Sequence, residues 1–384
     1  MSKSLKPKKM PELPALTGIR FVAASLVFMS HVPRLPGMEW LLAYWPFNLG
    51  TFGVAVFFVL SGFILTYNYA GVFESGVSLA NCGHFIWDRL SKVYPLYFFT
   101  LLLCIPIQLA GGHRDWSWNA LWLHLTLAQS IYPGQQLKLT DYFNVPGWSI
   151  SCEMLFYILA PPLIWLALRW KQWQQLVVAA VVLWPLSLFV IGKPSAHLLW
   201  PGRFAPLRVP EFCLGIMMAA YFIRFQLIAR RAWIYVSAGL ALITVAIGCD
   251  AFVPSYLANG PLAGPGAALL IYGLSNGEGL LARWLSHRWI VLLGASSYSF
   301  YLIHDPVIRI CRGFAQHYQL NITGPWRALV VGTVLFIVLQ ALSICVFKQI
   351  ELPIQKRLRS LMFKKAPTNP PPVSVESSCG QPPV

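Results

Sequence analysis

The chain has 384 residues, of which 57% are hydrophobic and only 11% charged, where a soluble globular chain carries about a quarter charged residues. With 16 Trp, 15 Tyr and 24 Phe, that composition excludes a disordered protein and argues against a water-soluble enzyme or one anchor on a soluble domain. The formal net charge of +16 comes from basic residues set between apolar runs rather than in a stripe, the pattern of loops beside anionic lipid and not of a nucleic-acid surface.

The chain opens on a basic segment, residues 1–14, whose following apolar run is too long and too charged for a cleavable signal. Apolar runs near the ~20-residue crossing length predict ten transmembrane helices, at 15–33, 48–70, 92–110, 148–168, 175–192, 205–224, 232–249, 261–276, 289–311 and 326–348. The expected fold is an all-α polytopic helix bundle spanning residues 15–353, followed by a basic and then Pro/Ser-rich tail at 354–384. The eighth run is short and Gly-rich, and residues 118–132 read as a re-entrant or interfacial helix. Ten spans place nineteen Lys and Arg residues on the side of both termini and eight on the other. The positive-inside bias therefore predicts cytoplasmic termini, with segment 111–147 outside.

Ionisable residues inside a span face a cavity or a partner. On the first helix Arg20 and His31 are eleven residues apart, which places them on one face, about 16 Å apart along the axis. Arg20 also reads as snorkelling to the inner interface, and His31 as a helix cap. Asp88, Arg89 and Lys92 precede the third helix; the two cations could grip phosphate or simply flank a span. In the fourth helix Trp148, Ser149 and Glu153 follow one another in GWSISCE. Glu153 is expected at the depth of His31, where a carboxylate would orient the ring for general-base work. A structural bond for Glu153 and interfacial anchoring for Trp148 are the plainer readings. Arg208 and Glu211 are three apart and suited to a local ion pair. Ser297, Tyr301 and His304 share a face that suits either a cavity wall or a seam against a neighbouring helix. The eight cysteines form no CxxC, so neither a disulfide framework nor a metal site is expected. No DxD, GxSxG, Walker loop or HExxH occurs.

These residues resemble the acyltransferase-3 family of integral membrane acyltransferases. Thr17-Gly18-Ile19-Arg20, ten residues and His31 look like its Arg/Lys-x10-His signature. Gly53–Phe63, Arg89 with Lys92 and Tyr94-Pro95, Trp148–Glu153, Arg208–Gly215, Ser297–His304 and Glu351-Leu-Pro353 follow in the family's order. Ala55 and Lys92 depart from commoner acidic and Arg residues, and no appended hydrolase-like domain is expected. The resemblance implies an O-acetyltransferase that moves an acetyl or other short acyl group from acetyl-CoA, a co-substrate rather than a resident cofactor. The implied acceptor is a hydroxyl of an extracytoplasmic glycan or lipid-linked saccharide, such as an exopolysaccharide repeat or O-antigen. His31 and Glu153 are then the catalytic candidates and Arg20, Arg89 and Lys92 the donor-binding ones. Ser149, Trp148, Arg208, Glu211, Tyr301 and His304 are candidates for the cavity lining. Without the resemblance, a glycolipid transporter or flippase that performs no chemistry accounts for the same buried polar groups, and a structural scaffold accounts for them less well.

Overall fold

The structure, a computed structural model, describes residues 10–44, 46–110, 116–131, 137–169, 201–225, 231–249 and 262–362, and among these there are helices and turns but no strand. Helix α1 (Pro14–Met29) opens with proline at its first turn, where the missing N–H is no loss. The long helices α2 (Gly50–Phe73), α3 (Leu79–Ala110) and α5 (Gly147–Arg169) follow, with the eight-residue α4 (Trp118–Leu125) between the last two. Then come α6 (Ala205–Phe225), α7 (Ala232–Cys249), the short α8 (Ala263–Leu274), α9 (Leu280–Leu285), α10 (Arg288–Ala295) and α11 (Ser297–His317). Helix α12 (Pro325–Val346) runs through a π-helical turn at Phe347–Glu351 into α13 (Leu352–Met362).

Seven of these stretches are long and apolar enough to cross a membrane, from Pro14–Arg34 to Pro325–Leu361. Exposed Leu329, Val330, Val334, Ile337, Val338 and Leu342 make α12 apolar on its outer face as well, which is the surface a helix presents to lipid rather than water. The chain is a multi-pass membrane protein. The fifth expected span, 175–192, and the tail lie outside the described residues. The eighth forms only the twelve residues of α8.

Two expectations need correction. The third span starts at Leu79, thirteen residues ahead of its expected start, so Asp88, Arg89 and Lys92 lie within α3 and not in a loop before it. The ninth is broken at Ser296 into α10 and α11. Ser296 directs its hydroxyl to the carbonyls of Leu292 and Leu293, 3.1 Å away, and so caps the end of α10 where hydropathy shows one continuous run.

Helices α2 and α6 cross with their backbones in close approach. A Cβ on Gly62 would overlap the Phe212 carbonyl oxygen, and one on Gly215 the Val59 carbonyl oxygen. Backbones this close are the mode by which membrane helices associate, since lipid offers little hydrophobic incentive. Around the crossing, Phe156 stacks on Phe212 with centroids 4.7 Å apart, and Phe58 meets Phe156 edge-on at 5.1 Å. Helix α4 sits against α3. Its last carbonyls accept from Tyr94 (2.9 Å to Leu125 O) and Tyr97 (3.0 Å to His124 O), and Thr126 Oγ1 reaches Trp122 O at 2.8 Å. Tyr94 thus satisfies the Leu125 carbonyl, which the short helix leaves open, while the other two hydroxyls join backbone N–H groups already bonded to Trp122 O and His124 O.

Replacing Gly62 or Gly215 by leucine should lower the unfolding midpoint in detergent by about 5 °C or more, whereas Gly71→Ala, which meets no atom within 4 Å, should leave it unchanged. Thermal unfolding of purified variants decides this; an unaltered Gly62→Leu midpoint would contradict the crossing.

Candidate active site

Two clusters of polar side chains are joined along α1 and α11. At the Arg20 end a cavity of about 100 Å³ is lined by Arg20, Ser61, Arg89, Lys92, Glu153, Tyr157 and Tyr298, with Phe57, Leu60, Ile64, Leu65 and Val93 as its apolar wall. Five helices contribute: α1, α2, α3, α5 and α11. Arg89 is fastened in place by Asp88, which also accepts from the Tyr69 hydroxyl and pairs with Arg359 Nε of α13 at 2.5 Å. The Arg89 guanidinium lies over the Tyr69 ring, 5.3 Å from its centroid. Arg20 and Lys92 form no ion pair among the described residues. Their electrostatic neighbours are Glu351 and Glu153. Both carboxylates are themselves engaged: Glu153 accepts from the Tyr157 hydroxyl at 2.7 Å, and Glu351 from Ser299 Oγ at 2.6 Å. The cavity therefore presents two uncommitted cations and a third tied to a carboxylate, a lining that suits a polyanion.

The second cluster surrounds His31, which lies just past the end of α1. Its Nδ1 is 2.7 Å from the carbonyl oxygen of Val27, which also accepts from Ser30 Oγ at 2.8 Å. His31 and Ser30 thereby cap a carbonyl that the ending helix leaves open. A carbonyl only accepts, so Nδ1 carries the proton and Nε2 keeps a lone pair, the state a general base requires. His304 of α11 stands beside it, with ring centroids 4.8 Å apart and planes at 82°. Asp305 is buried and accepts from Arg34 (2.7 Å) and the Val145 N–H (3.3 Å), with Arg309 at 3.7 Å. Arg203 pairs with Asp141. Burial holds the Asp141 carboxyl above the ordinary carboxylate range, opposed by Arg203 and Arg34.

Between the clusters, Ser149 Oγ and the Tyr301 hydroxyl are 2.8 Å apart, and Phe57 packs edge-on against Tyr301 at 5.8 Å. Tyr298, at the cavity, and His304, beside His31, are six residues apart on α11, about 9 Å along its axis. Ser149 and Tyr301 thus occupy the level between the two ends.

The expected pairing of Glu153 with His31 is not formed. Residues Gly147 to Cys152 are all buried, so the first turn of α5 already begins inside the protein and Glu153 falls a further turn and a half in, at the level of Arg20 and Lys92. The Val27 carbonyl, not Glu153, sets the His31 tautomer. Trp148 is no interfacial anchor. It is buried, edge-on to Phe58 at 6.0 Å, with Arg203 5.9 Å from its ring centroid. Arg208 and Glu211 form a buried ion pair of 2.9 Å, with Arg208 over Phe58 at 5.2 Å, and neither lines the cavity. The structure adds Tyr157, Tyr298 and Glu351 at one end and Arg34, Asp305 and Asp141 at the other. Glu351 was visible in its Glu-Leu-Pro block; the two tyrosines carry no signal in a chain with 15 of them.

Residues 13–344 match the family described as Acyltransferase domain, Acyl_transf_3. Among curated proteins the chain is similar to Acyltransferase MdmB of Streptomyces mycarofaciens, 31% identical over 79% of this chain and 81% of that one. It is similar to Exopolysaccharide production protein ExoZ of Rhizobium meliloti, 26% identical over 82% of this chain and 92% of that one. It also resembles Peptidoglycan O-acetyltransferase OatA of Listeria monocytogenes, 23% identical over 90% of this chain and 56% of that one. No solved structure matches it.

Removing one partner of the Arg208–Glu211 pair leaves a buried charge, so Arg208→Met or Glu211→Leu alone should cost about 3–5 kcal/mol of stability. The double variant should recover most of that in thermal unfolding. A double variant as unstable as either single one would show that the two residues act apart.

Proposed function

The chain belongs to the acyltransferase-3 family, and from that premise we propose that it transfers an acetyl or other short acyl group from acyl-CoA to a hydroxyl of a glycan or lipid-linked saccharide. The observation that carries this reading is the pairing of a cation-lined cavity with a lone-pair imidazole along one helix. Arg20 and His31 stand eleven residues apart on and just past α1, about 16 Å, a distance that suits the long flexible arm of a coenzyme whose phosphates rest at one end and whose thioester is used at the other. The names of the relatives, an exopolysaccharide protein and a peptidoglycan O-acetyltransferase, support a glycan acceptor.

In this reading Arg20 and Lys92 meet the phosphates directly. Arg89 adds charge, while Asp88, Tyr69 and Arg359 fix its position. The arm passes Phe57, Tyr301 and Ser149, which must part to admit it. At the far end His31 Nε2 takes the proton of the acceptor hydroxyl while its oxygen attacks the thioester carbon. Glu153 acts at the donor end, offsetting part of the cationic field, rather than as the orienter of the base. With the basic segments on the cytoplasmic side, the donor pocket opens inward and His31 faces the outside, where an envelope glycan is found.

In reconstituted protein given acetyl-CoA and a panel of methyl glycosides, His31→Ala should reduce CoA release at least about 100-fold while membrane insertion is retained. A variant that kept near-wild-type turnover would remove His31 from the chemistry. Arg20→Ala should raise the apparent KM for acetyl-CoA more than that for the acceptor. If only the acceptor dependence changed, the proposed direction of the path would be reversed. Mass spectrometry of envelope glycans from a deletion strain should show the loss of an acetyl increment, and an unchanged glycan profile would count against a glycan acceptor.

A further inference from the structure

The cluster around His31 contains a second imidazole. His304 is fully buried, and its Nδ1 lies 3.3 Å from the Phe300 carbonyl oxygen, which can only accept. Its Nε2 therefore carries a lone pair, and that atom is buried with no hydrogen-bond partner among the described residues. The ring is caged by aromatic neighbours: Phe300 at 6.2 Å, Tyr301 at 5.9 Å and Phe28 at 6.5 Å between centroids. An empty buried acceptor is destabilising, and a phenylalanine would fill this cage without that penalty. The position invites a reason for holding an imidazole there.

The reason lies 4.8 Å away, centroid to centroid, in His31. Both rings donate through Nδ1 to the carbonyl four residues earlier in their own helices, so both keep a lone pair on Nε2. In that state they have no proton to share. Once His31 is protonated they do, because its Nε2 becomes a donor and His304 Nε2 is a free acceptor. Among the described residues no nearby carboxylate is left for that role. Asp305 is held by Arg34, Arg309 and the Val145 N–H, Asp141 by Arg203, and Glu153 lies with Tyr157 in the other cluster.

We propose that His304 is a positioning residue for the proton, receiving the N–H of the imidazolium that His31 becomes during acyl transfer; this rests on the acyl-transfer reading above. The hydroxyl O–H bond breaks and an N–H bond forms at His31 Nε2. The hydroxyl oxygen bonds to the acyl carbon as the C–S bond breaks and leaves its electron pair on sulfur. While the charge is on the ring, His31 Nε2–H donates to His304 Nε2. The sulfur then takes that proton to become the free thiol, and both rings return to their starting tautomers.

The test follows CoA release from acetyl-CoA by the reconstituted full chain, with water or the most effective methyl glycoside as acceptor. His304→Phe should lower kcat about 10- to 100-fold, the worth of one hydrogen bond to a charged group. It should leave the KM for acetyl-CoA within about twofold, and the unfolding midpoint equal or raised. His304→Gln, whose side-chain oxygen accepts a hydrogen bond, should have a kcat at least about threefold above that of His304→Phe. In a His31→Ala background, His304→Phe should cause no further loss. Full activity in His304→Phe, a Gln variant no better than Phe, or additive losses with His31→Ala would each overturn the proposal, as would failure of His304→Phe to fold. If the wild-type chain itself released no CoA, the acyl-transfer reading would fail first, an outcome distinct from any of these.

Discussion

Placing cations inside an apolar bundle is the constraint on which the rest of this structure depends. An ammonium or guanidinium in a low-dielectric interior is expensive unless it finds charge or hydrogen bonds. Arg20, Arg89 and Lys92 converge on one cavity, and the chain meets the cost unevenly. Arg89 receives a full carboxylate from Asp88, an aromatic face and a neighbouring helix through Arg359. Arg20 and Lys92 receive only the field of Glu153 and Glu351, each already holding a hydroxyl. The imbalance leaves charge uncommitted in a space closed by α1, α2, α3, α5 and α11, and it explains why so many polar residues from distant parts of the chain meet there.

The opposite end works by a different economy. Its arginines are committed: Arg34 to Asp305, Arg203 to Asp141, and Arg309 to Asp305 and the Phe143 carbonyl. These bonds tie the segment before α5 to α11, and Asn144 adds a bond to the Leu302 carbonyl at 3.0 Å. What remains uncommitted is a pair of imidazole lone pairs. One end thus offers positive charge, the other offers basic nitrogen, and a tyrosine–serine contact stands between them.

Much of this could be read from residues alone. Seven of the ten expected spans followed from hydropathy because lipid demands long apolar helices. Arg20, His31, Arg89, Lys92 and Glu153 stood out because charge is scarce there. The depth of Glu153 was not legible, since counting from Trp148 assumes that α5 starts at the membrane surface, whereas its first turn is already buried. The early start of α3 was hidden because its opening turns are polar, and hydropathy registers a span rather than a helix. The roles of Asp88 and Asp305 were equally hidden. Each sits beside a residue that draws notice, and the partners of Asp88 and Asp305 that define them, Arg359 and Arg34, come from about 270 residues away.

The short helix α4 has a consequence for how the protein is made. Eight residues extend about 12 Å, well below what the insertion machinery accepts as a crossing segment. Its Leu125 carbonyl depends on Tyr94 of α3, and Tyr97 adds a second bond to the His124 carbonyl. The turn after it depends on α5, through Ser151 Oγ to Leu127 O at 2.6 Å and the Ser130 N–H to Ser151 Oγ at 3.0 Å. Without those helices the Leu125 and Leu127 carbonyls would lose their partners. The bonds from α3 can therefore form as soon as α4 is made, whereas those to Ser151 have to wait until the ribosome has delivered α5.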